Sequence, residues 1–222
     1  MTMEVKAKVP IVLAVDYSKD GKSVASFGMD QTARIWDMVG ARQAMLFKES
    51  THGYVVGRVA YSPDGKIIAT AGMSGRTIYS NNVTILRYIS TGKEIGRIDG
   101  MGGELSFSAD GRYILGNINE EDRTLRLWDV QTNSVVREFN NPYGHEGHGR
   151  ISPDKKYIVA WGDKVSDSVS LIDVATGKEI WREETNGVAA FLPEVQQLLI
   201  ASTSHGFWKG GDITTSFKLY DT

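Results

Sequence analysis

The 222-residue chain contains no cysteine. Disulfides, thiolate metal sites and a cysteine nucleophile are therefore excluded. The redox compartment stays open, because a cysteine-free chain is stable in either environment. Proline is scarce, at 5 residues, so no stretch reads as a proline-rich stalk. Neither sign of charge is in excess, with 25 Lys and Arg against 27 Asp and Glu. Bulk attraction to nucleic acid or to an anionic membrane is not indicated. No apolar run approaches the roughly 18 residues of a membrane-crossing helix. The opening stretch MTMEVKAKVP lacks the apolar centre of a signal peptide, which makes the cytoplasm the default expectation. Phosphate-cradling, helical zinc-protease and nucleophile-elbow motifs are all missing from the sequence.

Glycine, by contrast, is abundant at 24 residues, above the roughly 7% of an ordinary domain, and it points to many tight turns. The length suffices to bury about 70% of the extended chain's surface. One pattern recurs along it. Alternating apolar residues lead into a Ser-Pro-Asp-Gly-like turn and a second apolar run, as in VDYSKDGKSVAS, VAYSPDGKIIAT, LSFSADGRYILG, GRISPDKKYIVA and AAFLPEVQQLLI. The turns start at Ser18, Ser62, Ser108, Ser152 and Leu192, in steps of 44, 46, 44 and 40 residues. A second pattern follows each first one: ARIWDM, ILRYIS, LRLWDV, SLIDVA and FKLYDT. After it come a polar turn, clearest in STGKEI and ATGKEI, and one more short apolar strand. Each unit thus reads as four short strands joined by hairpins, with Asp-Gly and Thr-Gly at turn positions. No such sheet buries both faces alone, so each must stack on its neighbours.

Trp36-Asp37, Trp128-Asp129, the Ser-Pro-Asp-Gly turns and the step near 44 residues together resemble WD40 repeats. The resemblance covers essentially the whole chain. It implies an all-β fold, a β-propeller of five four-stranded antiparallel blades. The units fall at about 10–53, 54–99, 100–143, 144–185, and 186–222 with 1–9, in a single domain. In that family a tight-turn Asp lies six residues before the Trp, and Asp30 and Asp122 match. A His ahead of the first strand would bond a Ser or Thr of the second, a role that fits His52 with Thr70. No repeat carries all four members of that network, so packing is expected to hold the blades. MEVKAK (3–8) aligns with KEIGRI and KEIWRE and reads as a fourth strand that completes the last blade and closes the ring. A closed ring is expected to be monomeric. An open piece of a larger ring would expose two apolar faces and associate.

The resemblance further implies a non-enzymatic scaffold for a protein or peptide partner, without cofactor, metal, nucleic acid or membrane. The loops joining fourth to first and second to third strands vary in length and form the partner-facing side. Two are long, at 72–82 and 202–215. Candidate contacts are Phe207, Trp208 and Lys209, where an aromatic pair offers contact area with few rotors to freeze, and Arg76 and Tyr79. NPYGHEGHGR adds Tyr143, His145 and His148 on a fourth-to-first-strand loop. A metal there would need a further ligand such as His205 or Asp163. Trp161 and Trp181 read as packing residues, and Trp36 and Trp128 as core. Asp16, Arg58, Glu104, His148 and Arg150 lie on first strands near the channel or between blades, with Arg58 and Glu104 as an expected pair. An alternative reading is a five-bladed glycosidase using carboxylates among Asp16, Glu104, Glu146 and Asp163. Another is a structural propeller piece of a multidomain protein.

Overall fold

Period-two apolar alternation becomes nineteen strands in the computed structural model, which describes residues 11–48, 57–73, 82–118, 124–140, 147–162, 168–185, 187–192, 197–204 and 214–221. The first sheet holds β1 (Val12–Tyr17), β2 (Ser23–Gly28), β3 (Thr32–Asp37) and β4 (Arg42–Lys48). The second holds β5 (Arg58–Tyr61), β6 (Ile67–Met73), β7 (Asn82–Tyr88) and β8 (Glu94–Asp99). The third holds β9 (Met101–Phe107), β10 (Tyr113–Ile118), β11 (Thr124–Asp129) and β12 (Ser134–Asn140). The fourth holds β13 (His148–Ile151), β14 (Tyr157–Trp161), β15 (Ser168–Asp173) and β16 (Glu179–Glu184). The fifth holds β17 (Gly187–Leu192), β18 (Gln197–Ser204) and β19 (Thr214–Asp221). Every pairing is antiparallel between consecutive strands. No helix occurs among the described residues. Five such blades in sequence are consistent with a WD40-type propeller.

The first-to-second-strand turns share one set of hydrogen bonds. Ser18, Ser62, Ser108 and Ser152 each donate a hydroxyl to the Asp two residues on, at 2.7 Å in all four turns. Each hydroxyl oxygen accepts the amide five residues on, at 2.9 Å. Gly21, Gly65 and Gly111 then sit in the left-handed region at φ 68°, 70° and 72°, where a Cβ would be strained. Lys155 occupies the same position of the fourth blade at φ 66° and reaches across to Asp110 at 2.7 Å. The third-to-fourth-strand turns use the Asp of the Trp-Asp pair. Asp37 accepts the amides of Val39 and Gly40, and Asp129 those of Gln131 and Thr132.

The core lies between sheets, in rows set by the strand register. Ala25, Phe27 and Ile35 of the first blade pack on Val59, Tyr61 and Ile68 of the second. Ala69 and Leu86 meet Ile114 and Leu105 of the third. Leu115, Leu125 and Leu127 meet Ile151, Ile158 and Ile172 of the fourth. Val159 and Val169 meet Leu198 and Ile200 of the fifth. Successive side chains point to opposite faces, so each blade offers one row to its predecessor and one to its successor.

The array has two ends. The outward row of the first blade leaves Val15 and Tyr17 57% and 64% exposed. That of the fifth leaves Val188, Phe217 and Leu219 at 58%, 69% and 57%. The described residues therefore do not form a closed ring, and the fifth sheet has three strands among them. The strand expected at 3–8 lies outside the described residues.

Candidate interaction site at the inner strands

Two glycines precede Glu104 on β9, and they set its direction. Gly103 adopts φ 65°, and the pairing of β9 with β10 jumps from Ser106↔Leu115 to Gly102↔Asn117. Residues 103–105 thus stand opposite Gly116 alone, a bulge that re-aims the side chain it carries. Glu104 reaches the first strand of the fourth blade. One carboxylate oxygen accepts a hydrogen bond from His148 Nδ1 and the other from the Arg150 guanidinium. The sequence suggested Arg58 as its partner, and the structure corrects this. The bulge turns Glu104 away from β5, towards β13.

Trp161 of β14 backs this cluster. It is 6% exposed, with the His148 ring stacked on it at 5.4 Å between centroids and 18° between planes. The Arg150 guanidinium lies 5.8 Å from the same ring, within cation–π range. Asn117 ties β10 to the segment entering β13 through the Gly147 carbonyl. Burial raises the affinity of Glu104 for a proton. The hydrogen bond from His148 and the charge and hydrogen bond of Arg150 outweigh it, lowering the pKa from 4.5 to about 2. The carboxylate is therefore ionised at neutral pH, whereas the general acid of a glycosidase needs a raised pKa.

Beside this cluster a cavity of about 430 Å³ opens between the inner strands of the first four blades. Asp16, Arg58, Tyr61, Glu104, Ser106 and Arg150 line it. Asp16 is engaged at both oxygens, accepting the amides of Tyr17 at 2.8 Å and Tyr61 at 2.7 Å. Arg58 is half-buried, yet among the described residues its side chain makes a single hydrogen bond, to the neighbouring Gly57 carbonyl at 3.3 Å. Among the described residues it meets no carboxylate. A guanidinium so placed presents its fork of donors to a bound carboxylate or phosphate.

Of the residues named from sequence, the structure gathers Asp16, Arg58, Glu104, His148 and Arg150 around this cavity and its rim. Tyr61 and Ser106 were missed. Both fall on first strands at alternate positions, and that spacing was the available signal. Asp30 caps β3, accepting from the Thr32 amide and hydroxyl and pairing with Arg34 at 2.5 Å. Trp36 donates to the Ser26 hydroxyl at 2.8 Å and, with Trp128, is only partly buried. Thr70 is buried and donates to the Ile85 carbonyl at 3.5 Å. Trp181 packs on Tyr220 of the fifth blade, 4.8 Å between centroids. Phe207, Trp208, Lys209, Tyr143, His145, Arg76, Tyr79, His52 and Asp122 lie outside the described residues. So do Glu146, Asp163 and His205. Among the described residues, no group of three or more His, Asp or Glu is placed to hold a metal.

Comparison with known proteins agrees with this architecture. The sequence profile of the WD40 family (WD domain, G-beta repeat) matches residues 5–37, 44–79 and 103–129. The human serine-threonine kinase receptor-associated protein is 26% identical over 207 residues, covering 91% of this chain and 52% of that protein. WD repeat-containing protein 1 of Xenopus tropicalis is 27% identical over 143 residues, covering 62% of this chain and 22% of its own length. Transcription initiation factor TFIID subunit 5 of Caenorhabditis elegans is 27% identical over 155 residues, covering 67% of this chain and 22% of that protein. The chain thus spans about half the length of the receptor-associated relatives, and less of the others. Repeated Trp-Asp hairpins, shared Ser-Asp turns and matches along most of its length place the chain in the WD40-repeat family.

Proposed function

We propose that the chain is a non-enzymatic scaffold, a single WD40-like domain that binds an acidic segment of a protein or peptide partner. The segment enters from the loop-bearing side and sets a carboxylate against Arg58. The observation that carries this reading is the half-buried Arg58 guanidinium, which lines a cavity of about 430 Å³ and meets no carboxylate among the described residues. Glu104 does not compete for it, because His148 and Arg150 already hold both its oxygens. Two relatives carry names that speak of association, one with a receptor kinase and one as a subunit of an initiation factor. An interaction role for this chain accords with those names.

The test is binding of the full chain to matched acidic, neutral and basic peptide pools, read by fluorescence anisotropy. Acidic peptides are expected to bind best. Arg58→Ala should weaken them about ten- to a hundred-fold, the loss of a hydrogen bond to a charged group being worth roughly 1.5–3 kcal/mol. Phe207→Ala with Trp208→Ala should weaken them further if that loop forms part of the rim. Equal binding of all three pools, unchanged by Arg58→Ala, would overturn the proposal.

A further inference from the structure

Strand register sets the charge of the cavity wall. Counted back from the turn serine, Asp16, Ser106 and Arg150 share one position, paired with Ala25, Leu115 and Val159. Arg58 and His148 share the position two residues earlier, paired with Ala71 and Trp161. Alternate positions of a strand lie on one face, and here that face lines the cavity or its rim. The charged residues of the wall are Asp16 on β1, Arg58 on β5, Glu104 on β9 and Arg150 on β13. These four strands are neighbours in that order. Anion and cation therefore alternate, and Arg58 stands between two carboxylates.

Both carboxylates are fixed in place. Asp16 accepts the amide of Tyr61, three residues along the strand of Arg58, at 2.7 Å. Glu104 is held by His148 and Arg150. Neither turns aside for an incoming anion without breaking those bonds. Asp16 already acts on a neighbouring group of the wall. Burial raises the pKa of the Tyr61 phenol above 10.0, and the charges of Asp16 and Asp20 add to the rise, against the Ser23 hydrogen bond. A carboxylate entering the cavity places its single charge directly on the Arg58 fork. A phosphate monoester carries about −1.5 to −2 at pH 7. Its second charge meets no further unengaged cation on the wall, because Arg150 is bound to Glu104. That charge faces two fixed carboxylates instead, and it adds to the cost of leaving water.

We infer that the cavity selects a carboxylate over a phosphate, with Asp16 and Glu104 as the residues that set the choice. The inference rests on the reading of Arg58 as the contact for an acidic segment. Repulsion then defines the ligand as much as attraction does. A phosphorylated serine does not substitute for an aspartate or glutamate of the partner.

Binding of the full chain to three matched peptide pools tests this, read by fluorescence anisotropy. One pool is acidic, and the others carry phosphoserine or serine in place of each acidic residue. At about pH 7.5 the acidic pool is expected to bind at least about ten-fold more tightly than the phosphoserine pool. At about pH 5.5, below the second phosphate pKa near 6, the phosphoserine pool should regain several-fold relative to the acidic one. Asp16→Asn keeps a carbonyl oxygen for the Tyr61 amide and should narrow the gap by about three- to ten-fold. Glu104→Gln removes the other carboxylate and releases Arg150, so it should act in the same direction. Circular dichroism melts check that both variants fold, and the pH comparison needs no substitution. Phosphoserine binding as tight as acidic binding at pH 7.5 would overturn the inference and leave Arg58 as an anion site. A preference that neither variant nor the lower pH reduces would also overturn it. Binding of none of the pools would remove the reading of Arg58 and this inference with it.

Discussion

Ala41 stands at φ 49° between β3 and β4, in the turn position that Gly92 and Gly177 occupy at φ 69° and 75° in other blades. A left-handed alanine costs roughly 1–2 kcal/mol, part of which the greater unfolded freedom of glycine offsets. Ala41→Gly is therefore expected to raise stability by about 0.5–1 kcal/mol in urea unfolding. The converse holds at Gly65, where a new Cβ would meet nothing within 4 Å. Gly65→Ala should lose about 1 kcal/mol through backbone strain alone, and a neutral result would show that the turn relaxes. The two tryptophans of the Trp-Asp pairs differ in a related way. Trp36 Nε1 donates to Ser26. Trp128 Nε1 is buried without a hydrogen-bond partner, the one such side-chain atom among the described residues. Its counterpart of Ser26 is Gly116, where a Cβ would come within 2.9 Å of Met101 Cε. Packing of Met101 has taken the place of that hydroxyl. Ser26→Ala should lower stability by about 1 kcal/mol, seen as a shift in the urea midpoint at constant slope.

At the scale of strands, the bulge of β9 links the third blade to the fourth. Glu104 has its pKa lowered from 4.5 to about 2 by His148 and Arg150, against the opposing effect of burial. The folded state thus binds this proton more weakly than the unfolded chain. Its contribution to stability is full above about pH 4.5 and is lost as the pH falls towards about 2. Subtracting the Glu104→Gln stability curve from that of the wild type removes the titration common to both. The difference should shrink through that window, and a flat difference would show that the carboxylate is not so held. Pattern reading found the strands and their turns, because each is encoded within about six residues. It placed Glu104 on the right strand yet gave it Arg58 as partner. The side-chain direction depends on how many residues β9 sets against Gly116, and that count belongs to the pairing of two strands.

For the whole molecule, stability lies between blades, so the same row position differs with its place in the array. Leu115 is 1% exposed between the third and fourth blades. Leu115→Ala should cost about 2–5 kcal/mol through lost burial and the cavity left behind. Leu219, in a matching row of the fifth blade, is 57% exposed. Leu219→Ala should change the unfolding free energy of the dilute single chain by less than about 0.5 kcal/mol. Equal losses at both sites would mean that the fifth blade is covered in solution.

By itself the sequence determined the all-β class, the five units, the serine–aspartate turns and the family. Hydrogen bonds of neighbouring residues and period-two alternation are local properties, and they repeat wherever the motif repeats. The tertiary structure decided which groups meet across blades. It gave Glu104 to His148 and Arg150, left Arg58 facing a cavity, and left one row at each end exposed among the described residues. A buried row and an exposed row carry the same apolar pattern. Only the presence of a neighbouring sheet distinguishes them, and no local pattern specifies what lies on the far side of a face.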